Sequence, residues 1–456
     1  MARGARRKAR LCCVASALVA LTASCSSPAP SRSQSSRPSA SSLLPLKGAT
    51  SSGGTNLNWT SYPFATPVGM RYVLLGAACP AADDCWAVGE QTPTSDAYGH
   101  TLVLHLSDGA WALLASPVVT TRDALLSVEC LKPDDCWAVG QSTSDALAKL
   151  LALHFDGKSW SVVTVPSPAD RFQDDGEPWL NTLDSVACLR ADLCFAAGSR
   201  AIPGTPRMIT FVERWDGSAW SQLAVPGLPS TPMPQPGTVN SSPFPGLEVQ
   251  CLPLRSCILL GAISHPTTSP AAGWPQRTIL YHLRGNSWVP SPLPQVIYRV
   301  SCASPTRCWG LGVQVTTAGT AETIASRFDG RAWTTPVVVP ASGGAGTDTI
   351  PATLTCPSFS DCWAFDLSYV ARANGVRQGS SQGLPSPSRK TWLVLHESGG
   401  QWSTSAAFQS SPARVMNLLA LACATEHLCF AAGEAYAVSP AGVPGPFQAA
   451  ILEGSS

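Results

Sequence analysis

A chain of 456 residues with a formal net charge of +1 and only 13% charged residues carries no electrostatic footprint for nucleic acid. Forty-five per cent of the residues are hydrophobic, enough for a large core, and 40 prolines with 37 glycines favour short strands and many turns over helices. Of 17 cysteines, 14 form seven pairs with five residues between the members, so an even set points to disulfides and an oxidising compartment.

The chain opens on a targeting segment. Arg3, Arg6, Arg7, Lys8 and Arg10 make a basic region, and Leu11 to Leu21 is an apolar run too short to span a bilayer. The stretch Leu21-Thr-Ala-Ser-Cys25 resembles a bacterial lipobox, although Thr22 departs from the usual leucine. That resemblance implies a signal peptide over 1–24 and lipidation of Cys25, which would hold the protein on the outer face of the cytoplasmic membrane; ordinary secretion is the alternative. Residues 25–56 are rich in Ser and Pro, cannot build a core, and read as a disordered tether. By random-coil scaling about 30 such residues reach roughly 30 Å. No later stretch is long and apolar enough for a transmembrane helix, so the expected membrane link is the lipid alone.

From residue 57 the chain repeats. Cys79 pairs with Cys85, Cys130 with Cys136, Cys188 with Cys194 and Cys251 with Cys257. Further along, Cys302 pairs with Cys308, Cys356 with Cys362 and Cys423 with Cys429. Successive first cysteines lie 51 to 67 residues apart, a period that signals a repeat architecture. The pairs lack the short Cys-x2-4-Cys spacing and nearby histidines of zinc modules, so no metal is expected. Each repeat has four parts. A is an apolar run ending at the first cysteine, as in Leu126-Ser-Val-Glu-Cys130. B starts at the second cysteine, as in Cys136-Trp-Ala-Val-Gly140. C alternates, as in Leu151-Ala-Leu-His-Phe155, and D follows a tight turn, as in Asp156-Gly-Lys-Ser-Trp160. Period-2 runs joined by Asp-Gly or Gly-Asn turns are hairpins, and four antiparallel strands repeated seven times predict an all-β, seven-bladed β-propeller.

The two ends test that reading. The chain finishes on a part C without its D (Phe447 to Gly454) and the repeat region begins on a part D without its C (Asn58 to Pro63). The N-terminal strand is therefore expected to complete the last blade and close the ring, leaving no open sheet edge. Part D then contributes one tryptophan per blade: Trp59, Trp111, Trp160, Trp220, Trp288, Trp333 and Trp402, expected to pack between blades. Each cysteine pair should lie across its A–B hairpin, where opposed α-carbons sit about 4.5–5.5 Å apart, and each small loop is worth about 2–2.5 kcal/mol. Gly89, Gly140, Gly198 and Gly433 are expected to end strand B in a conformation that other residues avoid.

The Asp-Gly-x-x-Trp turn resembles the Asp-box of sialidase-type propellers, without the full Ser-x-Asp-x-Gly-x-x-Trp spacing. In that family the box is a folding element, so the resemblance implies no activity. The pattern as a whole, Cys-Trp-Ala-Val-Gly with His-x-Asp-Gly-x-x-Trp, resembles a group of secreted actinobacterial repeat proteins of unassigned function, over nearly all of 58–456.

Loops A–B and C–D share one face, and loops B–C and D–A the other. The second face carries the long insertions 166–183, 226–247, 262–277, 340–352 and 367–390, so a binding function is expected there. The candidate ligand-binding residues are Asp170, Asp174, Asp175, Glu177 and Trp179 in the first insertion and Trp274 in the 262–277 insertion. The carboxylates offer oxygens of the kind calcium takes but match no EF-hand spacing, and a solvated acidic loop is the plainer reading. Three residues before each first cysteine, strand A offers Gly76, Ser127, Ser185, Glu248, Arg299, Thr353 and Ala420, so Glu248 and Arg299 are the charged candidates near the axis. His105, His154, His282 and His396 recur at equivalent part C positions and read as part of the repeat. No phosphate loop, zinc-protease helix or Gly-x-Ser-x-Gly elbow is present. The reading is a non-catalytic, monomeric surface propeller that needs no cofactor and offers its loop face to an envelope protein or polysaccharide. The rival is a glycan hydrolase or lyase with convergent carboxylates in a central pocket.

Overall fold

The structure, a computed structural model, describes residues 57–456 apart from 63, 97, 145–146, 167–180, 202–206, 229, 233–246, 253–255, 264–276, 292, 294, 318–319, 341–346, 371–389, 412 and 440–443. These residues form seven antiparallel sheets, each ordered from strand A to strand D. Blade 1 is β2 (Met70–Ala81), β3 (Asp84–Pro93), β4 (His100–Ser107) and β5 (Ala110–Leu114). Blade 2 is β6 (Arg122–Lys132), β7 (Asp135–Ser144), β8 (Leu147–Phe155) and β9 (Trp160–Val162). Blade 3 is β10 (Asn181–Arg190), β11 (Leu193–Ala201), β12 (Arg207–Trp215) and β13 (Trp220–Leu223), and β14 (Ser230–Pro232) adds a fifth strand along the start of β12. Blade 4 is β15 (Leu247–Leu252), β16 (Ser256–Ile263), β17 (Arg277–Arg284) and β18 (Ser287–Ser291). Blade 5 is β19 (Ile297–Ser304), β20 (Arg307–Val315), β21 (Ala321–Phe328) and β22 (Val337–Val338). Blade 6 is β23 (Thr347–Ser358), β24 (Asp361–Val370), β25 (Lys390–Ser398) and β26 (Gln401–Gln409). Blade 7 is β27 (Arg414–Thr425), β28 (Leu428–Ala437), β29 (Gln448–Ser455) and, as its fourth strand, β1 (Asn58–Ser61).

The ring closes as the two chain ends predict. Asn58 pairs with Ser455 and Ser61 with Leu452. The closure extends past the strand, because the Tyr62 amide donates to Ile451 O (2.8 Å) and the Ala449 amide donates to Thr66 Oγ1 (3.0 Å). Phe64 stacks on Tyr72 of blade 1, so this strap clips the last blade to the first.

The strand D tryptophans pack between blades. Each meets the residue that follows the second cysteine of the preceding blade: Trp160 on Trp86, Trp220 on Trp137, Trp288 on Phe195, Trp402 on Trp309, Trp59 on Trp363 and Trp111 on Phe430. Ring centroids are 5.1–6.0 Å apart and the planes cross at 65–89°, the edge-on geometry that sets a positive rim against a π face and adds about 0.5–1.5 kcal/mol per pair. Blade 4 has Ile258 there, and Trp333 instead joins Ile258 and Phe328 in an apolar cluster.

All seven expected disulfides are present, one per A–B hairpin. Cys79 is bonded to Cys85, Cys130 to Cys136, Cys188 to Cys194 and Cys251 to Cys257. In the last three blades Cys302 is bonded to Cys308, Cys356 to Cys362 and Cys423 to Cys429. One detail departs from expectation. The paired α-carbons stand 3.9–4.1 Å apart, closer than opposed strands ordinarily stand, because the covalent tie draws Cys85, Cys136, Cys194, Cys257, Cys308, Cys362 and Cys429 onto their partners.

The strand B glycines have another reason than the expected one. None of the four has a positive φ, and all lie inside their strands. In six blades strand A carries a bulge at one place, as between Leu125 and Ser127, and the backbone beside it leans onto strand B. A Cβ on Gly89, Gly140, Gly198 or Gly433 would fall 1.8–2.0 Å from a strand A carbonyl oxygen. Close backbone approach, and not a left-handed turn, demands glycine there. In blade 6 the equivalent position holds Asp366, opposite Pro351.

Candidate functional site

The Asp-Gly turns on the disulfide face are folding elements. Asp216 Oδ1 accepts the amides of Ser218 and Ala219, both at 2.9 Å, while Gly217 takes φ +92°. The Ala219 amide first, then the Ser218 hydroxyl and amide, hold the Asp216 carboxyl down to about 2. Asp156 and Asp329 make the same turn, and the amides after each lower its carboxyl too. The recurring histidines are structural as well. His105, His154 and His396 sit directly across from Trp86, Trp137 and Trp363, over which they lie at 3.9, 4.6 and 3.9 Å. Each reaches the aspartate before the second cysteine: His105–Asp84 at 3.3 Å, His154–Asp135 at 2.9 Å and His396–Asp361 at 2.8 Å. Blade 5 has Arg307 and Arg327 in these places, and both guanidiniums cover Phe359 at 4.8 and 4.9 Å. Blade 4 keeps His282 alone, which burial and then Arg284 push below the usual imidazole range.

Around the axis, strand A side chains join one inner edge to the next. Ser127 Oγ accepts the Val186 amide, Ser185 Oγ accepts the Val249 amide, Gln250 Oε1 accepts the Cys302 amide, and Ser301 Oγ accepts the Cys356 amide. Glu248 and Arg299 belong to this stitching. Arg299 Nη1 lies 3.8 Å from Glu248 Oε2, and its Nε and Nη1 donate to the carbonyls of Ala352 and Tyr298. Burial raises Glu248 and lowers Arg299, each opposed by the other's charge. The sequence reading missed two further inner-edge carboxylates. Burial pushes Glu129 up to about 8, and Asp184, which accepts a hydrogen bond from Thr182, up to about 6. Glu129 lies one residue before a first cysteine and Asp184 is a bulge residue, so a scan of the third residue before each cysteine passes over both. Among the described residues no group of three or more His, Cys, Asp or Glu side chains is placed to hold a metal ion.

Asp170, Asp174, Asp175, Glu177, Trp179 and Trp274 lie outside the described residues, as do Cys25 and most of the five insertions. The described part of the loop face carries two clusters that the repeat pattern does not announce. At the seam of blades 6 and 7, buried Lys390 is pushed below the usual lysine range by burial against the pull of Glu434, whose carboxylate accepts Asn417 Nδ2 at 2.7 Å. At the seam of blades 1 and 2, Glu90, Tyr98, His100, Arg122 and Asp123 come together. Asp123 is fully enclosed and accepts the Val119 amide (2.8 Å), the Thr120 amide (3.0 Å) and Thr120 Oγ1 (2.8 Å). His100 Nδ1 stands 3.9 Å from it, with the side chain 37% exposed. Burial raises the Glu90 carboxyl, opposed by Arg122, by Thr92 and by His100.

No family model matches the chain, and no curated protein does. Solved structures of similar outline include the subtype N11 neuraminidase-like protein of A/flat-faced bat/Peru/033/2010, 9% identical over 91% of this chain and 97% of that one, with a TM-score of 0.36. A Penicillium chrysogenum α-L-arabinanase complexed with arabinobiose is 10% identical over 88% and 97%, with a TM-score of 0.40. The β-propeller domain of the Trilobed protease from Pyrococcus furiosus is 6% identical over 80% and 93%, with a TM-score of 0.41. Likeness this distant assigns neither ligand nor activity, and the fold stands on its own sheet topology.

Proposed function

We propose that the protein is a non-catalytic binding propeller that offers its B–C and D–A loop face to a protein or polysaccharide of the cell envelope. The observation that carries this reading is the state of the two axial charges. Glu248 and Arg299 are tied to each other, and Arg299 also donates to strand A carbonyls, so the pair is engaged in holding the inner strands. The disulfide face is occupied by turns, stacked histidines and bridges that serve the fold, which leaves the loop face for recognition. Seven disulfides suit an oxidising, extracytoplasmic setting. In this reading residues 1–24 direct export, Cys25 carries a lipid, 25–56 is the tether and 57–456 is the working domain.

The test is retention of the oxidised protein on cell-wall fractions and purified polysaccharides, with released sugar assayed in the supernatant. Retention without release is expected. Release of sugar would overturn the non-catalytic reading and direct attention to Glu129, Asp184 and Glu248.

A further inference from the structure

We propose that the loop face over the seam of blades 1 and 2 is a subsite for one glycosyl unit of a neutral polysaccharide; this rests on the binding role proposed above and names its ligand class. The site is built from two loops locked together. The Asp123 amide donates to Gly99 O at 3.0 Å, joining the B–C loop of blade 1 to the start of blade 2. The enclosed Asp123 carboxylate gathers the D–A loop through Val119 and Thr120. Gly99 lies flat on Glu90, since a Cβ there would fall 2.4 Å from Glu90 Oε1 and from Thr92 Oγ1. A platform held this way loses little conformational freedom when a ligand arrives.

On the platform stands Tyr98, 52% exposed, beside the Arg122 guanidinium, whose carbon is 6.0 Å from the ring centroid. Half-exposed tyrosine at a loop tip gains little from folding, while a flat apolar ring is what the C–H face of a sugar packs against. Next to the ring, Arg122 supplies donors, Glu90 supplies acceptors and the exposed edge of His100 supplies either, as a hydroxylated ligand requires. The Arg122 charge is offset by Glu90, and the enclosed Asp123 carboxylate is met by the Val119 and Thr120 amides and the Thr120 hydroxyl, so the site has no excess of positive charge to draw an acidic ligand. That balance favours a neutral glycan over an acidic one. Glu90 has a counterpart in Glu434, which likewise follows a strand B glycine; Tyr98, His100 and Arg122 belong to no repeated motif.

The experiment is calorimetric titration of the oxidised protein and its Tyr98→Ala and Tyr98→Phe variants with dextran, mannan and galactan, with polygalacturonate as the acidic probe. Leu113→Ala, an exposed apolar change on the rim of blade 1, is the control. Binding of a neutral polymer that Y98A weakens about tenfold or more, that Y98F retains and that L113A leaves unchanged, with equal unfolding temperatures, is the expected result. Neutral-polymer binding that Y98A does not change would overturn this subsite while leaving a polysaccharide-binding role in place. Binding of polygalacturonate alone would overturn the neutral ligand class. Failure of the unmodified protein to bind any of the four would overturn the subsite together with the polysaccharide branch of the proposed function, and would direct the search to a protein partner.

Discussion

The two faces of the ring obey different rules. On the disulfide face the same chemistry recurs: a cysteine bridge in every blade, an Asp–His pair across the tryptophan in three, an Asp-Gly-x-x-Trp turn in three. On the loop face the described seams differ. Blades 1 and 2 enclose Asp123 beneath His100, blades 6 and 7 bury Lys390 beside Glu434, and blade 6 places Asp366 where most blades have glycine. Stability is distributed evenly by the first face, whereas individuality is concentrated on the second. A propeller can vary one rim freely because its blades are held by seams and bridges elsewhere.

The largest test of that division is reduction. Each bridge closes a small loop worth about 2–2.5 kcal/mol in the chain-entropy model, so losing all seven should lower Tm steeply. Thermal melts with and without a phosphine reductant would show it; an unchanged midpoint would mean that the bridges do not support the ring. Deleting 57–66 should be nearly as severe, because it removes β1, Trp59 and the strap over blade 1 in one step. A two-state melt at the parent temperature would contradict closure by the N-terminal strand.

Glycines sharpen the comparison at intermediate cost. Gly140→Ala drives a Cβ to 2.0 Å from Ala124 O and should destabilise by about 3 kcal/mol or more. Gly109→Ala, at φ +71° with open space around it, should cost only about 1–2 kcal/mol. Equal losses in chemical denaturation would show that close approach is not what selects glycine in strand B.

The smallest effect is a pH dependence. Burial raises the Asp366 carboxyl from 3.8 to about 7. Its neutral form is the one the fold accommodates, so its contribution is fully present below about pH 4, declines as pH rises, and is lost above about pH 7. Asp366→Asn should match the parent near pH 4 and melt a few degrees higher at pH 8. Parallel Tm curves across that range would contradict burial of an ionisable carboxyl there. Glu129, raised to about 8, Glu213, raised to about 7, and Asp184, raised to about 6, have the same sign and add to the loss on the alkaline side.

How much was legible follows from repetition. The cysteine pairs, the strand D tryptophans and the Asp-Gly turns each recur, and recurrence turns a spacing into a position in a blade. The glycines recur too, yet their cause was invisible, because the strand A bulge that presses on them is a register shift between strands. His100 and Asp123 were missed for a different reason. They are 23 residues apart on different blades, and neither falls in a repeated motif. The two axial charges, Glu248 and Arg299, resolved into a stitch only when neighbouring strands could be seen together.

The sequence by itself determined the number of blades, their strand order, the bridges and the closure. Those properties depend on local pattern and on the chain ends, which a period carries in full. Only the tertiary structure decided which side chains share a seam, which carboxyls lose their water and which tyrosine stands exposed. These depend on neighbours from other blades, and burial of a charge is a property of the seam and not of the residue.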